Sequence, residues 1–124
     1  KEIISTPNAP AAIGPYSQAV KTGNMVFLSG QIPLLPETME MIEGGVTEQA
    51  QQVFKNLSAV AEAAGGSLND AVKVNISLTD LGDFAAVNEV MASVFDEPYP
   101  ARACVQVAAL PRGAMVEIEV ILAL

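Results

Sequence analysis

Val72-Lys73-Val74-Asn75-Ile76-Ser77-Leu78 alternates aliphatic and polar residues with a period of two, the pattern of a strand with one buried face. Longer-period patterns flank it on both sides. Upstream, Thr47 followed by Glu48, Gln49 and Ala50 opens a helix that carries Val53, Leu57, Val60, Ala61 and Ala64 on one face, and Gly65-Gly66 stops it. Downstream, Asp83 caps a second helix that runs to about Phe95 with Phe84, Val87, Met91 and Val94 inward, and Asp96-Glu97-Pro98 ends it. Ala101 to Val107 and Val116 to Leu122 read as two further strands.

Working outward to the N-terminal part, Lys1 to Thr6 fits a short strand. Pro7-Asn8-Ala9-Pro10 and Gly14-Pro15 exclude helix from the segment that follows. Met25 to Ser29 is a compact apolar run, entered through a tight turn at Gly23-Asn24 and ended by Gly30. Residues 33–45, rich in proline, glycine and acids, read as loop. The order of strands, helix, strand, helix, strand, strand predicts one α+β domain over residues 1–124, a split βαβ sheet with both helices on one face. The other face then has no cover within the chain, and a neighbouring subunit is the economical one.

Composition excludes several classes. The 124 residues are 51% hydrophobic and 16% charged, an apolar balance that suggests subunit contact. The uncharged apolar runs, such as Ala103 to Leu110 and Val120 to Leu124, are far too short to span a bilayer, and no signal-like segment opens the chain. Six basic residues against fourteen acidic ones give a net charge of -8, and the cations are scattered at 1, 21, 55, 73, 102 and 112. Nucleic acid is therefore not an expected partner. With no histidine and one cysteine, the usual zinc, iron and copper ligand sets and the imidazole-activated nucleophiles are missing. No metal or cofactor is expected, and the lone cysteine makes the cytoplasm the default compartment.

Candidate chemistry rests on few side chains. In Ala101 to Ala108, alternation sets Arg102, Cys104 and Gln106 on one face and Ala101, Ala103, Val105 and Val107 on the other. The Arg102 fork suits a carboxylate, and its small neighbours leave room for one; a salt bridge across an interface, or a merely exposed arginine, fits the same pattern. Glu117 and Glu119 share a face of an interior-type strand, where a carboxylate is paired, titrates near neutrality, or lies on a solvated face. A hairpin about Pro111 would set Arg102 opposite residues near Ile121 rather than Glu117, so the two strands are not neighbours or the two residues act separately. Cys104, without a base, reads as a small buried hydrophobe. Tyr16, in Gly14-Pro15-Tyr16-Ser17-Gln18, presents a hydroxyl from a stiff turn or seals the core edge. Ser29-Gly30-Gln31 by itself means only a turn.

Together, Ala11 to Ala19, Phe27-Leu28-Ser29-Gly30-Gln31-Ile32-Pro33, Tyr99-Pro100-Ala101-Arg102-Ala103-Cys104-Val105 and Val116-Glu117-Ile118 closely resemble the Rid family, in particular its RidA-type 2-iminobutanoate/2-iminopropanoate deaminases. The likeness runs over essentially the whole chain. It implies a chorismate-mutase-like subunit with a mixed sheet of about six strands, a homotrimer, and sites in the clefts between subunits. It also implies that the last strand lies inside the sheet, apart from the one that bears Arg102. By the same resemblance, Arg102 binds the carboxylate of a 2-imino acid and Glu117 activates water. Cys104 lines the pocket through its backbone, and Tyr16, Ser29, Gly30 and Asn88 complete it. Two rivals remain: deamination of a larger enamine, and a ligand-sensing module that uses the same pocket without turnover.

Overall fold

The computed structural model describes residues 1–124. Its strands are β1 (Glu2–Ile4), β2 (Ala19–Thr22), β3 (Met25–Gln31), β4 (Ala71–Leu78), β5 (Ala101–Gln106) and β6 (Val116–Ala123); its helices are α1 (Val46–Ala63) and α2 (Phe84–Val94). They form one mixed sheet in the order β1-β2-β3-β6-β4-β5. β6 pairs antiparallel with both β3 and β4, so β3 and β4 run parallel with β6 between them, and the β3-α1-β4 connection is the split βαβ unit. β4 and β5 pair directly in parallel through α2. The strand bearing Arg102 is thus an edge, separated by β4 from the strand bearing Glu117. No hairpin joins them.

Both helices cover the same side of the sheet. Val53, Leu57, Val60 and Ala61 of α1 meet Val74, Ile76 and Leu78 of β4 and Val116, Ile118, Val120 and Leu122 of β6 in one core of 25 buried residues. The Phe54 and Phe95 rings join α1 to the end of α2 edge to face, 5.6 Å apart. Gly65 ends α1 at φ +94°, and the N–H groups of Gly65 and Gly66 donate to the carbonyls of Glu62 and Ala61, the paired closure that a left-handed residue permits.

Local details depart from the sequence expectations. α1 begins at Val46, with Gly45 rather than Thr47 at the cap, because Glu48 Oε1 reaches back to accept from the Gly45 N–H at 2.8 Å. Asp83 precedes α2 but makes no capping hydrogen bond; Asp80 caps the turn before it, accepting from the Gly82 N–H at 2.8 Å. On α2, Val87 and Met91 are buried as expected, with Val90 beside them, whereas Phe84 and Val94 are only half-buried. Val72 is exposed, because the β4–β6 register shifts between Ala71 and Lys73. β2, absent from the sequence reading, forms a hairpin with β3 across Gly23-Asn24. β3 does not end at Gly30 but runs to Gln31, a bulge at Ser29-Gly30 absorbing the extra residue between Leu28 and Gln31.

The opposite face of the sheet carries no helix. Ile3, Phe27 and Val105 there are 53%, 46% and 51% exposed, although each is a large apolar side chain on a strand.

Candidate active site

Sheet register sorts the candidate residues onto two faces. Arg102 pairs with Val74, which is fully buried under the helices, so Arg102 projects to the helix side at the β5 edge. There its Nη1 donates to Asn88 Oδ1 at 2.6 Å and approaches Met91 Sδ at 3.8 Å, and its guanidinium carbon lies 5.0 Å from the Phe84 ring centroid. All three partners are neutral. A cavity of about 410 Å³ opens beside the guanidinium, lined by Asn88, Met91, Ala92, Tyr99, Pro100 and Arg102 itself. Sequence reasoning alone does not bring Phe84, Met91, Ala92 and Tyr99 to the site. The trace of Phe84 and Met91 in the sequence is their spacing with Asn88, one stripe of a helix.

Cys104 follows on the same face, paired with Ile76 and half-buried. Burial pushes its thiol upward, with the Arg102 charge offsetting only part of that, so the thiol stays protonated and is a poor nucleophile.

Glu117 pairs with Ser77, three residues along β4 from Val74, and therefore faces the other way, onto the helix-free side. Gly30 approaches it there from the bulge of β3: a Cβ at Gly30 would stand 3.0 Å from both Cδ and Oε1 of Glu117. Burial raises the Glu117 carboxyl above the ordinary carboxylate range, and the neighbouring Glu119 charge raises it further. Glu119 itself accepts from Asn75 Nδ2 at 3.0 Å.

Ser29 belongs to the same neighbourhood. Its hydroxyl donates to the Ser17 carbonyl at 2.5 Å and its N–H to the Gln18 carbonyl at 2.9 Å, which ties β3 to the loop carrying Tyr16. The buried Gln18 side chain anchors that loop, accepting from the Thr6 N–H at 2.7 Å and donating to the Pro10 carbonyl at 2.8 Å. Tyr16 is 53% exposed. Within one chain, then, Arg102, Asn88 and Cys104 gather on one face, while Glu117, Gly30 and Ser29 gather on the other. No metal-ligating cluster of three or more His, Cys, Asp or Glu is present, and no helix is long and apolar enough to cross a membrane.

Residues 6–124 match the family model described as Endoribonuclease L-PSP. The chain is 55% identical to the 2-iminobutanoate/2-iminopropanoate deaminase of Dermatophagoides farinae, over 96% of this chain and 93% of that one. Among solved structures, RidA from the Antarctic bacterium Psychrobacter sp. PAMC 21119 superposes with a TM-score of 0.97 at 62% identity, covering 100% of both chains. E. coli TdcF with bound serine superposes at 0.94 with 49% identity, covering 100% of this chain and 99% of that one. The chain belongs to the endoribonuclease L-PSP family, the Rid family.

Proposed function

We propose that the chain is a hydrolytic deaminase of 2-imino acids such as 2-iminopropanoate and 2-iminobutanoate, releasing 2-keto acids and ammonia. The observation that carries this reading is the state of Arg102: a guanidinium held by neutral partners at the mouth of a cavity, with fork donors to spare for a ligand carboxylate. Relatives named for this activity support it, as does the serine bound to E. coli TdcF, a small molecule with a carboxylate of the same kind.

In the proposed reaction Arg102 binds the substrate carboxylate and fixes C2 next to Glu117. The Glu117 carboxylate takes a proton from water as its oxygen bonds to C2, giving a carbinolamine. With the imine nitrogen protonated at the start, the carbinolamine is neutral. Glu117 returns its proton to that nitrogen and takes the hydroxyl proton as the C–N bond breaks, so the nitrogen leaves as ammonia and the oxygen becomes the keto group. A carboxyl raised by burial and by the Glu119 charge is a stronger base than an ordinary carboxylate, which favours taking the proton from water. Hydrolysis of C=N changes no oxidation state, and the scheme uses only water and the two side chains.

A single chain keeps Arg102 and Glu117 on opposite faces, so we infer that the complete site forms between subunits, with Tyr16, Ser29, Gly30 and Glu117 from one and Arg102, Asn88 and Cys104 from its neighbour. The exposed Ile3, Phe27 and Val105 on the helix-free face fit burial in a homotrimer of chorismate-mutase-like subunits. The single free thiol fits a cytoplasmic setting.

The same separation favours a second reading: the Arg102 cavity exists without the acid, so a sensing module that binds 2-keto or amino acids without turnover is the alternative. Arg102→Lys tests the first reading, because lysine keeps the charge and loses the fork. Ammonia release from freshly generated 2-iminobutanoate is expected to fall at least about tenfold, and calorimetric binding of 2-oxobutanoate with it. Wild-type chain that binds 2-oxobutanoate yet releases no ammonia above the spontaneous rate would establish the sensor instead.

A further inference from the structure

We propose that Phe84 is a positioning residue for Arg102, its ring face fixing the plane of the guanidinium so that the free edge of the fork points into the cavity. This rests on the reading of Arg102 as the carboxylate-binding residue, and deepens it.

Arg102 stands on an edge strand with β4 on one side only, and the residues around it on β5 are largely exposed. Such a long side chain, left alone, would sample many orientations, losing that freedom when a ligand binds. Three residues of α2 take the freedom away in advance. Phe84, Asn88 and Met91 stand at i, i+4 and i+7, on one stripe of the helix facing the strand edge. Asn88 Oδ1 and Met91 Sδ both take up Nη1. These contacts locate one nitrogen but leave the guanidinium free to swing about it. The Phe84 ring, 5.0 Å from the guanidinium carbon, supplies the surface that removes this rotation, since a planar cation lies favourably over the negative face of an aromatic ring.

Phe84 is itself rigidly placed. It is the first residue of α2, half-buried, and packs against the main core. It therefore gives Arg102 a fixed support and contributes no charge that would compete with a carboxylate. A carboxylate of this chain in the same place would hold Arg102 as firmly but would occupy the donors the ligand needs. A neutral amide on one nitrogen and a ring under the plane hold the group and leave the rest of its fork open.

The test compares Phe84→Leu, which keeps an apolar side chain and removes the ring face, with Phe84→Tyr, which keeps the ring. Binding of 2-oxobutanoate is followed by calorimetry, 2-iminobutanoate turnover by ammonia release, and folding by thermal melting. Phe84→Leu is expected to weaken 2-oxobutanoate binding and raise KM by about three- to tenfold, and Phe84→Tyr to restore both to within about twofold. A structural role would instead lower the melting temperature and leave the affinity of the folded fraction unchanged, and that result overturns the proposal. Wild-type affinity in Phe84→Leu beside lost affinity in Arg102→Lys overturns the Phe84 role alone. Wild-type affinity in Arg102→Lys overturns the carboxylate reading and this inference with it. Should Phe84→Leu not fold, the unmodified protein decides: ring-current-shifted Arg102 side-chain resonances in its NMR spectrum are expected, and unshifted ones refute the stacking.

Discussion

Gly30 and Glu117 meet where β3 bulges toward β6, and the space of a missing methyl group is filled by the carboxylate: a Cβ at Gly30 would lie 3.0 Å from Glu117 Cδ and Oε1. The glycine is needed there for the room it leaves, since its backbone is not in the left-handed region. Gly30→Ala is therefore expected to push the Glu117 carboxylate aside by a few tenths of an ångström. Turnover should fall about ten- to a hundredfold through misalignment, with a small change in melting temperature. Coupled assay and calorimetric melting on the same preparation check this; unchanged turnover would show that Glu117 does not need its present position.

The raised Glu117 carboxyl gives a pH dependence of defined sign. As a general base it works ionised, so turnover should climb with pH through a transition above the ordinary carboxylate range. Glu119→Gln removes the second cause of the upward shift and should move that transition to lower pH. Glu117→Gln should lower turnover by roughly two to four orders of magnitude and flatten the profile.

Stability follows from the same shift. A carboxyl raised in the folded state binds its proton more tightly there than when unfolded, so its contribution is present at acid pH and is lost as pH rises through the folded value. Glu117→Gln is thus expected to melt at higher temperature than the parent chain at neutral pH, with the gap closing below the ordinary carboxylate range. Equal melting temperatures at both pH values would contradict the burial of this group.

Cys104→Ala should keep most of the activity, because the thiol is held protonated and no base stands beside it. A loss of about two orders of magnitude in kcat/KM would make the sulfur chemical.

Assembly is tested on the helix-free face. Phe27→Asp sets a charge among the exposed apolar residues of that face, on β3 beside β6. Light scattering should give a homotrimer for the parent chain and a monomer for the variant, and ammonia release should vanish with the trimer. An active monomer would refute a site shared between subunits.

Much of the fold is legible in local pattern. The period of two in Val74, Ile76 and Leu78 and the helical spacing of Val53, Leu57 and Val60 name side chains that are buried in the structure. The same alternation groups Arg102 with Cys104 and Glu117 with Glu119, as the register does. It does not place those two groups relative to each other, because the period within a strand says which residues share a face, while the choice of face depends on pairing with β4, a non-local matter of register. The bulge at Ser29-Gly30 is hidden for a like reason, since one surplus residue becomes visible only against the partner strand. β2, four residues long, offers too little alternation to stand out. Phe84 reads as a core residue, and it is one in part; its second role beside Arg102 is seen only once the edge strand lies next to α2.

The place of β6 also governs the order in which the molecule can come together. The strand that lies between β3 and β4 in the sheet is the last of the six to be synthesised. Until it inserts, two central strands present open backbone edges toward one another, and α1 lacks much of the floor it packs on. The nascent chain cannot complete its sheet one strand at a time from the N-terminus. It must keep a strand-wide slot open until residues 116–123 are available, and until then that slot can accept other strands.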